Sequence, residues 1–232
     1  MRYLPTAALI ASLAAPALAE ECRLALVLAM DVSRSVDAAD FALQTEGLAS
    51  ALESDAVQSA IFGAAGDVAL AAFQWSGERH QEMLADWVLV RRPEDLAAIA
   101  SAIRAARAPE VKQLTALGAA LGFAVDLLET APDCRRRVID MAGDGQNNDG
   151  PGPDLVAGRR GLEGITVNAL AIGEHEQGLV TYFATQLIHG PGAFVELAER
   201  HSDFPRAIRR KLLRELTEEL SALPRQAVAQ PG

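Results

Sequence analysis

Cysteine, histidine and aromatic residues are all scarce in this chain: two Cys, four His, two Trp and two Tyr in 232 residues, with aromatics at 5%. None of the histidines (His80, His175, His189, His201) falls in a zinc-binding spacing or a nucleophile motif, so neither a zinc hydrolase nor a serine hydrolase is written here. Positive charge is also short. Twenty-one Lys and Arg face 31 Asp and Glu, for a formal net charge of −10. Nucleic-acid binders carry the opposite excess, and an acidic surface is repelled by anionic lipid. Beyond the N-terminus, no apolar stretch is long and charge-free enough to be a membrane helix. No internal repeat and no interdomain linker is visible.

Half of the residues are apolar, a balance that fits a globular protein with a real core. The N-terminus stands apart. Arg2 is followed by a mostly apolar run, Leu4 to Ala15, too short to span a bilayer. Pro16 and Ala17-Leu18-Ala19 then supply the small residues of a cleavage site. Residues 1–19 therefore read as a secretory signal, cut before Glu20, which makes the protein periplasmic or secreted, with no membrane insertion after cleavage. Glu21 before Cys22 rules out lipid attachment, where a small residue is required. Losing Arg2 takes the net charge from −10 to −11. Residues 20–223 form one domain, and 224–232 are a polar, proline-containing flexible tail.

Within the domain, apolar runs alternate with helical periodicity. Leu24 to Met30 is a continuous apolar run, as in a strand buried on both faces. Asp37 caps a helix from Ala38 to about Leu52. Strands follow at Val68–Phe73 and, at an edge, Trp87–Val90. Pro93 and Glu94 open a helix to about Ala106. Thr115 to Glu129 is helical, Arg137–Ala142 a strand, Leu155–Leu162 a helix and Ile165–Ile172 a strand. A helix at Leu179–Leu187, a short strand at Ala193–Leu197 and a helix from about Phe204 to Leu220 complete the chain. In the last helix, Arg206, Arg209, Arg210, Lys211 and Arg214 read as a solvated face. Trp75 and Trp87 suit either packing or a binding surface. Strands separated by helices make a parallel sheet covered on both sides, whose ligands bind at the carboxyl ends of the strands.

The unusual polar residues lie at those ends. Asp31, Ser33 and Ser35 alternate where the first strand stops, so all three can point at one spot. Asp144 ends the fourth strand between Gly143 and Gly145, which let backbone pass close to a bound group. Carboxylates and hydroxyls are hard ligands that suit Mg²⁺ or Mn²⁺, not zinc or copper. Either motif alone could be a helix cap or a turn; together they suggest a cation site.

Asp31-x-Ser33-x-Ser35, Thr115 in Thr-x-x-Gly-x-Ala-Leu, and Asp144 in Gly-Asp-Gly resemble the metal-ion-dependent adhesion site of von Willebrand factor type A domains. The resemblance spans the mature chain in the right element order. It is nearest to a domain-of-unknown-function family of secreted bacterial proteins of this fold. It implies an α/β fold: a doubly wound, mostly parallel six-stranded sheet with helices on both faces and one antiparallel edge strand. It also implies that Ser33 and Ser35 touch the metal, that Thr115 does so directly or through water, and that Asp31 and Asp144 act mostly through water. The sequence departs from the pattern before Thr115, where Lys112-Gln113-Leu114 stand in place of the frequent glycines.

If both acids act through water, the cation keeps its charge and draws a carboxylate from a protein or ligand partner. The expected function is therefore metal-dependent recognition, not catalysis. Two other readings are a structural module with an unused site and a phosphohydrolase of haloacid-dehalogenase type with Asp31 as nucleophile. The latter needs acids where Ser33 and Asn148 stand. The same fold would put Cys22 and Cys134 at one end of neighbouring parallel strands, opposite the metal, so an exported chain would join them in a disulfide.

Overall fold

The first strand, β1 (Cys22–Asp31), is buried along its whole length. Leu24, Leu26, Leu28 and Met30 enter one apolar layer, while Ala25, Val27 and Ala29 enter another. Such a strand must be central, with helices on both sides. The computed structural model describes residues 21–222 except 112, 174 and 175. The signal segment and the tail expected from the sequence lie outside the described residues.

The helices and strands follow in alternation: α1 (Ala38–Glu53), α2 (Asp55–Phe62), β2 (Asp67–Trp75), β3 (Gln81–Val90), α3 (Pro93–Arg104), α4 (Leu117–Glu129), β4 (Cys134–Gly143), α5 (Pro153–Arg160), β5 (Ile165–Ile172), α6 (Leu179–Gln186), β6 (Val195–Ala198) and α7 (Phe204–Ala222). The six-stranded sheet has the order β3-β2-β1-β4-β5-β6. All pairs are parallel except β2 with β3. Apolar side chains of α1, α2, α3 and α7 fill one layer. Those of α4 and α6 fill the other, with Ala157 of α5 packed against it. Strand order reverses between β1 and β4, so the crevice outside their carboxyl ends is the ligand position of this architecture.

The sequence pattern predicts α1 and no element over α2. Ser54 separates them: its extended backbone ends α1, and its hydroxyl accepts the Val57 N–H of α2. β3 begins at Gln81 instead of Trp87, because the hairpin pairs Gln81 with Trp75. Its faces are only partly covered, so its apolar signal was weak. Trp75 is a core residue, and Trp87 packs partly buried with its indole N–H on the Leu127 carbonyl.

The basic face of α7 needs a correction. Arg206, Arg209, Arg210 and Arg214 are exposed, but Lys211 is fully buried. Its Nζ lies 2.7 Å from Asp140 Oδ1 on β4 and 2.6 Å from Glu215 Oε1 one turn on. Asn168 of β5 donates to the same Glu215 oxygen at 2.8 Å. One ammonium faces two carboxylates, so burial and Glu215 push Asp140 up to about 7. Buried Arg23 adds a second tether, donating to the Leu216 carbonyl of α7 and the Ala60 carbonyl of α2.

Cys22 and Cys134 are register partners on β1 and β4, with Cα atoms 4.5 Å apart and a disulfide between them. It sits at the amino ends of the two strands that carry the candidate site at their carboxyl ends.

The disulfide closes a separation of 112 residues. Replacing both cysteines with serine should lower stability in urea denaturation by roughly 3–5 kcal/mol. Lys211→Met should cost about 3–5 kcal/mol, since it leaves two buried carboxylates facing each other. That loss should be larger at pH 8 than at pH 5, where protonation removes the repulsion. Equal losses at both pH values would show that the triad is not what α7 depends on.

Candidate metal site

β1 delivers Asp31 to the crevice and β4 delivers Asp144; both are essentially fully buried. The loop leaving β1 does not cap α1. Asp37 does that, accepting the Ala39 and Asp40 amides at 2.7 and 2.9 Å. Asp31, Ser33 and Ser35 are thereby free of the capping role that a turn-forming reading would assign them. Asp31 instead accepts the Ser33 amide at 2.7 Å through Oδ1. Its Oδ2 is buried and meets no hydrogen bond of good geometry.

The hydroxyls close into one group. Thr115 Oγ1 donates to Ser33 Oγ at 3.2 Å, Ser33 Oγ lies 3.3 Å from Ser35 Oγ, and Ser35 Oγ donates to Asp144 Oδ1 at 2.6 Å. Adjacent oxygen ligands on an octahedral Mg²⁺ stand about 3 Å apart, given bonds near 2.1 Å. The two hydroxyl–hydroxyl spacings, 3.2 and 3.3 Å, lie close to that value, so these donors fit a small, hard cation. Among the described residues, no group of three or more His, Cys, Asp or Glu could hold a metal; this group differs in drawing on hydroxyls.

Thr115 reaches the group by a route the sequence did not reveal. The helix expected from Thr115 starts at Leu117, because Ala116 is non-helical. Thr115 is held from the opposite side. Its amide donates to Asn148 Oδ1 at 2.8 Å, and its carbonyl accepts the Asn148 and Asp149 amides. Asn147 Oδ1 accepts the Gly118 amide at 3.0 Å. Gly118 is required: a Cβ there would stand 2.1 Å from the Pro151 carbonyl oxygen. The stretch 147–149 thus clamps the loop in place of the missing glycines. Arg34 ties the β1 loop to the same connection, its amide donating to the Gln113 carbonyl at 2.8 Å.

The two glycines around Asp144 serve different ends. A Cβ on Gly143 would stand 3.2 Å from Asp31 Oδ2, so this glycine makes room for the neighbouring carboxylate, not for a bound group. A Cβ on Gly145 would meet only ordinary contacts, near Glu176 and Thr115.

Burial, and then the charge of Asp144, raise the Asp31 carboxyl to about 8, against hydrogen bonds from Ser33 and the Asp144 amide that favour the ionised form. His201, at the turn before α7, was overlooked in the sequence. It is buried, with Nδ1 3.5 Å from Asp40 Oδ1 and Nε2 3.7 Å from Asp144 Oδ2. No local spacing marks it, since it is over fifty residues from Asp144. Glu176 was likewise missed; it accepts the Gln146 amide at 2.8 Å.

The family described as Protein of unknown function (DUF1194) matches residues 21–220. No curated protein matches the chain at a significant level. Among solved structures, proximal thread matrix protein 1 from the mussel byssus, with a zinc-occupied MIDAS motif, superposes with a TM-score of 0.58 at 20% identity, over 86% of this chain and 49% of that one. A von Willebrand factor type A protein from Catenulispora acidiphila gives 0.59 at 16% identity, over 84% and 43%. The pilus adhesin SpaC from Lactobacillus rhamnosus GG gives 0.60 at 14% identity, over 86% and 31%. The chain spans about half the length of these proteins or less. The fold is that of von Willebrand factor type A domains.

A carboxyl held above its usual range weakens the fold as it ionises. The burden is absent below about pH 4 and grows as pH rises toward 8. Asp31→Asn should therefore stabilise the metal-free protein at pH 8 by at least about 1 kcal/mol and change little at pH 4. Thermal melts with a chelator, at both pH values, check this. A loss of stability at pH 8 would show that Asp31 is not under electrostatic strain.

Proposed function

The chain belongs to the DUF1194 family, and we propose that it is an exported binding protein that uses one Mg²⁺ or Mn²⁺ ion to hold an acidic group of a partner. The observation that carries this reading is the convergence of two carboxylates and three hydroxyls, at the carboxyl ends of β1 and β4, around buried oxygens at octahedral spacing. Ser33, Ser35 and Thr115 would hold the ion directly, with Asp31 and Asp144 behind water. Such an ion keeps most of its charge and supplies a Lewis-acidic position for an incoming carboxylate. The chain's own part is to fix the hydroxyls and supply the two acids. The relatives support the same reading: one carries a metal in the corresponding motif and another is an adhesin by name. Zinc in the mussel protein makes Zn²⁺ a competitor to be tested, although hydroxyl donors suit the harder ions.

A binding role is favoured over phosphoester hydrolysis. Ser33 occupies the place where that chemistry needs a general acid. His201, the imidazole near Asp144, is buried and does not line the site's mouth. Export fits a disulfide between β1 and β4, since such bonds persist in oxidising compartments.

Calorimetric titration should show one Mg²⁺ or Mn²⁺ per chain, lost in Asp31→Ala and weakened at least about tenfold in Ser33→Ala. No binding to the native protein, or unchanged binding in Asp31→Ala, would remove the metal reading. Turnover of a generic phosphoester that depends on both Mg²⁺ and Asp31 would replace recognition with hydrolysis.

A further inference from the structure

The mouth of the site is small and two-sided in character. Arg34, Ser35, Leu114, Thr115 and Asn148 line a cavity of about 150 Å³. Pockets for drug-sized ligands run to roughly 300–1,000 Å³; this one has room for a single side chain. Thr115 and Ser35 belong to the hydroxyl group described above, so the cavity opens directly onto it. Arg34 and Leu114 do not.

Arg34 is exposed, and among the described residues its guanidinium makes no hydrogen bond or ion pair. It stands at this mouth in a chain of net charge −10. An exposed guanidinium beside a cation site adds positive charge at the mouth, and it complements a carboxylate. Leu114 is 39% exposed, and Val111, three residues earlier in the same connection, is 72% exposed. These are two of the six exposed large apolar side chains among the described residues, and both precede Thr115 by at most four positions. Leu114 is held outward because its neighbours are anchored inward: the Gln113 carbonyl accepts from Arg34, and Thr115 is clamped by Asn148.

Resting on the metal reading above, we propose that the partner is a protein segment in which an acidic residue stands directly next to an aliphatic one. The acidic side chain enters the cavity beside Arg34, and the aliphatic side chain covers Leu114. Apolar contact at the rim gives what the cation and Arg34 cannot: discrimination among carboxylates. An acidic polysaccharide or a free organic acid satisfies the cation equally but offers nothing to Leu114.

The probes are short biotinylated Gly-Ser peptides carrying Leu-Asp, Asp-Leu, Ser-Asp or Leu-Asn, immobilised for biolayer interferometry with Mg²⁺ or with chelator. At least one of the Leu-Asp and Asp-Leu peptides should bind in Mg²⁺ about fivefold or more tighter than Ser-Asp, and Leu-Asn should not bind. Leu114→Ser should erase that preference while leaving calorimetric Mg²⁺ affinity unchanged. Arg34→Gln should weaken every acidic peptide and flatten the salt dependence. If Mg²⁺ binds but Ser-Asp matches the leucine peptides, if no peptide binds, if Leu114→Ser keeps the preference, or if alginate competes as well as the leucine peptides, this inference is overturned and the metal reading survives. If Mg²⁺ itself fails to bind, both fall together.

Discussion

Two carboxylates share one dry corner of this protein, and much of the site is arranged around them. Asp31 and Asp144 end adjacent strands, both out of water, and each raises the cost of ionising the other. Like charges in such a place are tolerated only when one is protonated or a cation sits nearby. The fold shows the second solution elsewhere: Lys211 is inserted between Asp140 and Glu215 to dock α7 on the sheet. At Asp31 and Asp144 the arrangement is different, with His201 Nε2 3.7 Å from Asp144 Oδ2. Serine and threonine hydroxyls gather beside them, and hydroxyls suit cation coordination, not charge neutralisation. A corner with two buried acids and small oxygen donors suits the bound cation we propose.

The rest of the crevice preserves this geometry. Gly143 lets Asp31 and the end of β4 approach each other. Asn147 and Asn148 brace the connection before α4 and so hold Thr115 beside Ser33 without a flexible glycine loop. The disulfide ties the same two strands at their other ends. Along β1 and β4 the strands are fastened at their amino ends and bear electrostatic strain at their carboxyl ends, where the proposed cation would sit.

Local reasoning reached the parts of this protein whose signals are short-range. The continuous apolar run of β1, the Asp37 cap and the alternation Asp31-Ser33-Ser35 each follow from neighbours in sequence. Asp144 between its glycines was equally visible. The resemblance then ordered these elements into one sheet and placed Cys22 opposite Cys134, as the strand register bears out. Failures occurred where the deciding partner is remote. Lys211 reads as one more basic residue on a polar helix until β4 presents Asp140. His201 has no motif, and its partners come from α1 and from the end of β4. Thr115 was expected inside a helix, because its own sequence is helical in pattern; the competing hydrogen bonds come from residues 148 and 149.

By itself, the sequence determined the type and order of every strand and of most helices, α2 excepted, and singled out five oxygen-bearing candidate residues, because hydrophobic period, capping and ligand hardness are properties of a residue and its near neighbours. Only the tertiary structure decided that the three hydroxyls touch one another, that Asp31 and Asp144 strain against each other, and that Arg34 and Leu114 flank the entrance. Those facts depend on distances between segments that can lie more than a hundred residues apart, and such distances are set by sheet order and packing, which no single stretch of chain contains.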